Sequence, residues 1–194
     1  MITNERLICL KCYLQTPKNQ SIKIFFIDGK EYELKHLYKF QKKGIIQNLI
    51  HKLKYCRNKS IGYYLGQELL KLPNILSKID GVIPVPIHEN KKKKRGYNQS
   101  EIIAQGLVKG TTIPIINNVL YRKQEGISQT QKNRFRRFNE IDNAFEIKNP
   151  HLLQNKHIIL VDDISTTGAT LSACVKTLNR IKNINVSLAC IASA

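Results

Sequence analysis

Residues 157–170, HIILVDDISTTGAT, restrict the possible folds of this chain more than any other stretch. The apolar run reads as a buried strand that closes on two adjacent aspartates. Small hydroxyl residues around one glycine then lead into a pattern with helical spacing from about 168 to 181. A second apolar run, NVSLACIAS (185–193), follows. Upstream, GVIPVPI (81–87) reads as a strand, NQSEIIAQGLVKG (98–110) as a helix closed by Gly110, and IINNVLYRK (115–123) as another strand. Strands alternating with helices imply parallel pairing through right-handed crossovers. The expected class is α/β, a mainly parallel sheet flanked by helices.

The first half reads differently. IKIFFIDGKEYELKHLYKF alternates apolar and polar residues on both sides of Asp28-Gly29, a dipeptide that favours a type I′ hairpin turn, so strands are expected at about 22–27 and 31–39. Ile45, Ile46, Leu49, Ile50 and Leu53, and then Ile61, Leu65, Leu69 and Leu72, repeat at helical spacing before Pro73. These are two amphipathic helices. Together with the hairpin they are expected to form a hood or an edge.

In an open parallel sheet, ligands bind beyond the carboxyl ends of the strands, which is where Asp162 and Asp163 fall. The STTGAT loop enters a helix whose first N–H groups lack partners and whose dipole is positive at that end, an arrangement that cradles phosphate. Gly168 allows backbone to approach a ligand closely, and Thr166, Thr167 and Thr170 offer hydroxyl donors. Two carboxylates repel a phosphate but suit hydroxyls further along the same molecule. A 5-phosphorylated ribose satisfies both halves. The alternatives are weaker. An N-cap with a solvated neighbour accounts for the acids alone, and a phospho-receiver domain places such acids after its first strand, whereas 31 residues follow Asp163 here. The GxxxxGK[ST] pattern of a P-loop is missing.

Charge adds a second constraint. The chain carries 32 Lys plus Arg against 14 Asp plus Glu, a formal net charge of +18, which attracts polyanions such as nucleic acid, phosphorylated small molecules or anionic lipid. No apolar run of 18 residues occurs, and MITNERLICLKC has neither a long apolar core nor a cleavage site, so a cytoplasmic, not membrane-spanning protein is expected. Five cysteines without framework spacing argue for a reducing compartment. Cys9 and Cys12 form the one suggestive pair; Cys174 and Cys190 fall in apolar patterns and read as core. His88 is the one histidine placed beside the segment after Val85-Pro86, a candidate ligand loop between strand and helix.

Four ordered segments carry a resemblance. LYKFQKKGIIQNLIHKLKY, VIPVPIHENKKKKRGYNQSEIIAQGL, GISQTQKNRFRRFNEIDNAFEI and IILVDDISTTGATL resemble segments of the ComF family, named for bacterial competence, and the last resembles the loop by which type I phosphoribosyltransferases bind 5-phosphoribosyl-1-pyrophosphate (PRPP). The resemblance implies a type I phosphoribosyltransferase-like fold. It divides the chain into a partial CxxC zinc-ribbon-like segment (1–18) and a phosphoribosyltransferase-like domain (19–194), with a hood or edge region (19–80) and a PRPP-binding core (81–194). It implies that Asp162 and Asp163 hold ribose hydroxyls and help place Mg²⁺, while Thr166, Thr167, Gly168, Ala169 and Thr170 wrap the 5-phosphate. Arg95, Arg122 and Lys123 become the expected pyrophosphate ligands. Arg134, Arg136 and Arg137 fall in the stretch that corresponds to a mobile flap. ComF proteins carry two CxxC pairs that bind zinc, and Cys9-Cys12 matches only the second; four ligands are needed, so zinc is expected only if another pair lies upstream.

Three functional classes follow. One is phosphoribosyl transfer from PRPP to an acceptor. Another is single-stranded DNA handling in competence, with the PRPP site as sensor or grip and without turnover, alongside other proteins of the competence machinery. The last is an adaptor whose basic face binds a membrane-associated partner. At such a site catalysis needs no nucleophile: pyrophosphate leaves C1, so cations that stabilise the departing charge and carboxylates that fix the ribose are what the chemistry asks for.

Overall fold

The computed structural model describes residues 18–123 and 144–194. The chain opens with an antiparallel hairpin, β1 (Lys18–Ile27) and β2 (Lys30–Lys39). Asp28 and Gly29 both take positive φ, 50° and 73°, as a type I′ turn requires. Helices α1 (Ile45–Tyr55) and α2 (Lys59–Leu69) follow at the expected positions. The second half supplies β3 (Gly81–Pro84), α3 (Glu89–Arg95), α4 (Gln99–Leu107), β4 (Leu120–Arg122), β5 (Phe145–Ile147), β6 (His157–Ser165), α5 (Ala169–Leu178) and β7 (Asn185–Ser193).

Five strands form the main sheet in the order β1-β2-β7-β6-β3. The β3–β6, β6–β7 and β2–β7 pairs are parallel, and only the hairpin is antiparallel. β6 is therefore interior, with β3 on one side and β7 on the other. The hairpin is an edge of this sheet, because β2 joins β7 in parallel from Leu34↔Leu188 to Lys39↔Ser193. The 115–123 segment departs from expectation. Its strand is three residues long and pairs antiparallel with β5 in a separate two-stranded sheet, while Ile115 makes a single bridge to Val82.

Each face of the sheet buries its own core. On one side Leu37, Ile159, Val161, Ala189 and Ile191 pack against α1, α2 and α4; on the other Leu34, Ile158, Leu160 and Leu188 pack against α5, with Leu120, Phe145 and Leu153 around it. The strand period of two explains the split, since successive residues of β6 and β7 feed opposite layers. Where α2 crosses α4 the backbones nearly touch. A Cβ on Gly66 would lie 2.0 Å from the Ile103 carbonyl oxygen, and one on Gly106 would lie 2.1 Å from that of Tyr63. Two glycines set this crossing, and through it the position of the α4 N-terminus. Among the described residues no helix is long and apolar enough to cross a membrane.

Candidate functional site

Two carboxylates form the centre of the site. Sequence pattern places Asp162 and Asp163 at a strand end, but β6 continues through them to Ser165, because its ladder with β7 persists to Ser165↔Ser193. Both acids are consequently buried, 7% and 3% exposed. Their oxygens are held by protein donors. Ser100 Oγ donates to Asp162 Oδ1 at 2.9 Å, the Asp163 N–H to the same oxygen at 2.8 Å, and the Ile164 N–H to Asp163 Oδ1 at 2.7 Å. Lys54 Nζ stands 2.7 Å from Asp163 Oδ2 as an ion pair whose angles fall outside hydrogen-bond alignment. Burial pushes the Asp162 carboxyl up to about 7, and the adjacent Asp163 charge adds to the rise; the hydrogen bonds from the Asp163 N–H and Ser100 and the Lys54 charge oppose it. Burial and the same Asp162 charge push the thiols of Cys174 and Cys190 upward, which keeps both as inert core residues.

Local chemistry places Ser100. Asn98 caps α4, its side chain accepting from Ser100 N at 3.1 Å, while its Nδ2 donates to the Val85 carbonyl at 2.9 Å just beyond β3. The cap thus ties the helix that carries Ser100 to the strand next to β6. Neither Ser100 nor Lys54 stands out in the sequence as a partner of the acids. The only signal is that both lie in segments carrying the family resemblance.

The Thr-Gly loop leaves the end of β6. Thr166 and Thr167 are exposed, Ala169 and Thr170 half-buried, and Gly168 is buried at φ 80° as the N-cap of α5. A Cβ on Gly168 would lie 2.1 Å from Phe25 Cε1. The glycine is therefore demanded by the β1 aromatic ring as well as by its left-handed backbone. Lys23, two residues earlier on the same strand, donates to the Thr166 carbonyl at 3.4 Å and to the Ala194 carbonyl at 2.9 Å, and its ammonium lies 5.5 Å from the Phe25 ring centroid. The hairpin edge buttresses the loop.

The cationic residues divide. Arg122 lines a cleft of about 100 Å³ together with Pro84, Pro86, Lys92, Asn98 and Glu101, beyond the carboxyl end of β3. Lys123 is exposed directly after β4, its N–H donating to the Ala144 carbonyl at 2.9 Å. Arg95 turns elsewhere: it donates to Gln99 Oε1 at 2.7 Å, and its guanidinium lies 5.3 Å from the Tyr55 ring centroid. Lys92, not singled out by sequence reasoning, takes its place in the cleft. The segment containing it is a helix and not a loop; His88 Nδ1 caps it by accepting from Asn90 N at 3.1 Å, and Gly96 closes it at φ 82°. A larger cleft of about 480 Å³, bounded by Glu33, Lys35, Ile79, His157, Asn185 and Ser187, lies at the amino ends of β6 and β7, away from the acids.

Arg134, Arg136 and Arg137 lie outside the described residues, as do Cys9 and Cys12. Among the described residues no group of three or more His, Cys, Asp or Glu is placed to hold a metal ion, and Cys56, Cys174 and Cys190 are free thiols. Two adjacent carboxylates nevertheless suit Mg²⁺, which binds through one or two carboxylates and completes its shell with substrate phosphates.

The phosphoribosyl transferase domain model matches residues 93–194, from the last turn of α3 through the acid pair and its loop to the final strand. The chain belongs to that family. Within it, the chain is similar at family level to the ComF competence proteins: it is 29% identical to competence protein F of Haemophilus influenzae over 145 residues, 74% of this chain and 59% of that protein. It is 28% identical over 149 residues to DNA utilization protein YhgH of Escherichia coli O157:H7, covering 74% and 65% of the two chains, and 32% identical over 99 residues to competence protein ComFC of Bacillus subtilis, covering 50% and 37%. The chain thus spans about three fifths of the length of the first of these relatives. Among solved structures, an adenine phosphoribosyltransferase aligns at a TM-score of 0.48 with 13% identity, covering 89% of this chain and 85% of that one. A hypothetical protein from Neisseria gonorrhoeae with bound ppGpp aligns at 0.44 with 18% identity, covering 69% and 68%.

Proposed function

We propose that this phosphoribosyl transferase family chain binds PRPP together with Mg²⁺ and serves phosphoribosyl transfer or a PRPP-linked step of competence and DNA uptake. The observation that carries this reading is the buried pair Asp162-Asp163 on β6, set three residues before a Thr-Gly loop that opens the α5 N-terminus. In the proposed complex Thr166, Thr167, Gly168, Ala169 and Thr170 surround the 5-phosphate, whose charge complements the helix end. Asp162 and Asp163 accept from the ribose hydroxyls, and the same two residues would hold the metal against the diphosphate. When bound, the metal would supply positive charge toward the leaving pyrophosphate. Arg122, with Lys92 from the same cleft and Lys123 next to it in the chain, offers further positive charge to the pyrophosphate. In a transfer, the bond from C1 to the pyrophosphate oxygen breaks with its electron pair leaving on pyrophosphate, and the acceptor's nucleophilic atom bonds to C1.

A second reading is favoured by the net charge of +18 and by the exposed lysines 91–94 on α3. Here the protein binds single-stranded DNA without turnover, in keeping with the names of its relatives, which concern competence and DNA utilization. Cytoplasmic placement belongs to both readings. Zinc on Cys9 and Cys12 would need two further ligands, as from a second CxxC pair upstream.

Calorimetric titration with PRPP, with and without Mg²⁺, and then with single-stranded DNA at two salt concentrations separates the readings. PRPP binding that depends on Mg²⁺ and disappears in the folded Asp162→Asn/Asp163→Asn variant is the expected result. Salt-sensitive DNA binding without any PRPP heat would instead establish the second reading.

A further inference from the structure

We propose that Lys54 is the resident counter-cation of Asp163 and excludes free divalent metal from the acid pair, so that metal enters only in company with a polyphosphate that draws the ammonium away. The proposal rests on the reading of Asp162 and Asp163 as the sugar and metal end of a phosphorylated-ribose site.

The donors around the two carboxylates are of unequal mobility. Asp162 Oδ1 is held by the Ser100 hydroxyl and the Asp163 N–H, and Asp163 Oδ1 by the Ile164 N–H. The two backbone donors belong to β6 itself, which stays paired with β7 to Ser165 after its ladder with β3 ends at Val161, and Ser100 sits in the capped first turn of α4. The backbone donors cannot withdraw without disturbing the strand, and the Ser100 hydroxyl, fully buried, can rotate but has no path to solvent. Lys54 differs. It reaches Asp163 Oδ2 from the last turn of α1 on a flexible four-carbon stem, and its side chain is 22% exposed against 5% for that of Asp163. Of the groups described around the two carboxylates, this ion-paired ammonium is the one that can leave toward solvent.

Charge decides what can replace it. An ammonium beside a carboxylate in a water-poor site is a strong counter-ion, and hydrated Mg²⁺ gives up its waters reluctantly. A bare metal ion meeting Lys54 also meets a like charge. A polyphosphate reverses both terms, because it brings ligands for the metal and attracts the displaced ammonium. The departure would be felt beyond Asp163. Leu53, Lys54 and Tyr55 are consecutive, and each touches the site's supports: the Leu53 carbonyl accepts from the Tyr97 hydroxyl, Lys54 pairs with Asp163, and Tyr55 lies beneath the Arg95 guanidinium. One helical turn thus joins the acid pair to the segment between α3 and α4.

The test uses MgCl₂ alone, with NaCl of equal ionic strength as control, and reads thermal melting and calorimetric affinity in the full chain. Mg²⁺ is expected to leave the melting temperature of wild type and Lys54→Arg unchanged and to raise that of Lys54→Met, with affinity tighter than wild type by at least about tenfold. In Lys54→Met/Asp163→Asn the response should vanish. An equal Mg²⁺ response in wild type and Lys54→Met, or none in Lys54→Met, overturns the proposal; if that variant does not fold, Lys54→Gln is read in the same way. Failure of PRPP to bind wild type would remove the phosphorylated-ribose reading while leaving the metal response of Lys54→Met as its own result.

Discussion

Lys54 Nζ and Asp163 Oδ2 lie 2.7 Å apart and join α1 to β6, an interior strand of the main sheet. Truncating the cation leaves a carboxylate that is 3% exposed without its counter-charge. Removing one partner of a buried pair is strongly destabilising, on the order of 3–5 kcal/mol, and the partial exposure of Lys54 puts this case at the lower end. Lys54→Met in the absence of metal should therefore lose about 3 kcal/mol in denaturant unfolding at neutral pH. Lys54→Met/Asp163→Asn should recover much of that loss, since the stranded charge is gone. A double variant as unstable as the single one would show that packing of the lysine stem, and not charge, accounts for the effect.

Asp162 predicts a pH dependence of stability. Its carboxyl is raised in the folded protein from an ordinary 3.8 to about 7, by burial and then by Asp163, so the folded state binds the proton more tightly than the unfolded chain does. Its contribution is fully present below about 3.8 and is lost as pH rises through about 7. Wild type should lose on the order of a few kcal/mol from this group between about pH 4 and pH 8, and Asp162→Asn should flatten that slope. Parallel slopes for the two proteins would mean that Asp162 is ionised throughout the range.

Gly168 and Phe25 should behave as a coupled pair. Gly168→Ala places a Cβ at φ 80° and 2.1 Å from the Phe25 ring, so strain and overlap act together. A loss of roughly 2–3 kcal/mol is expected in thermal unfolding, with weaker binding of inorganic phosphate. Gly168→Ala/Phe25→Ala removes the overlap and leaves the backbone strain. Its loss should be smaller than the sum of the two single losses, and strict additivity would show that the ring and the loop do not meet.

The lysines of α3 give a test that depends on salt. Lys91, Lys92, Lys93 and Lys94 are all exposed, and Lys92 also borders the Arg122 cleft. Replacing Lys91, Lys93 and Lys94 with glutamine should leave PRPP affinity nearly unchanged. If these lysines touch DNA phosphates, affinity for single-stranded DNA should fall at every sequence, and the salt slope should flatten by roughly 0.7 for each phosphate that is no longer neutralised. An unaltered slope would move DNA binding to another face of the molecule.

Local pattern determined much of this protein. Asp28-Gly29 specified its turn because few dipeptides tolerate two positive φ values, helical spacing marked α1 and α2, and the apolar run of β6 with its acids and Thr-Gly loop announced the sheet and pointed to the candidate site. The α3 helix was not legible, because ENKKKKR has no apolar face and is defined by its caps at His88 and Gly96. What only the tertiary structure decided is the company each site residue keeps. Ser100 reaches Asp162 across 62 residues of chain and Lys23 reaches Thr166 across 143, and no sequence period encodes such separations. The burial of the acids belongs to the same class, since β6 continues past Asp163 only because β7 remains paired beside it to Ser193. Strand pairing and helix crossing are set by which surfaces exclude water together, whereas turns and amphipathic periods are set by neighbours along the chain.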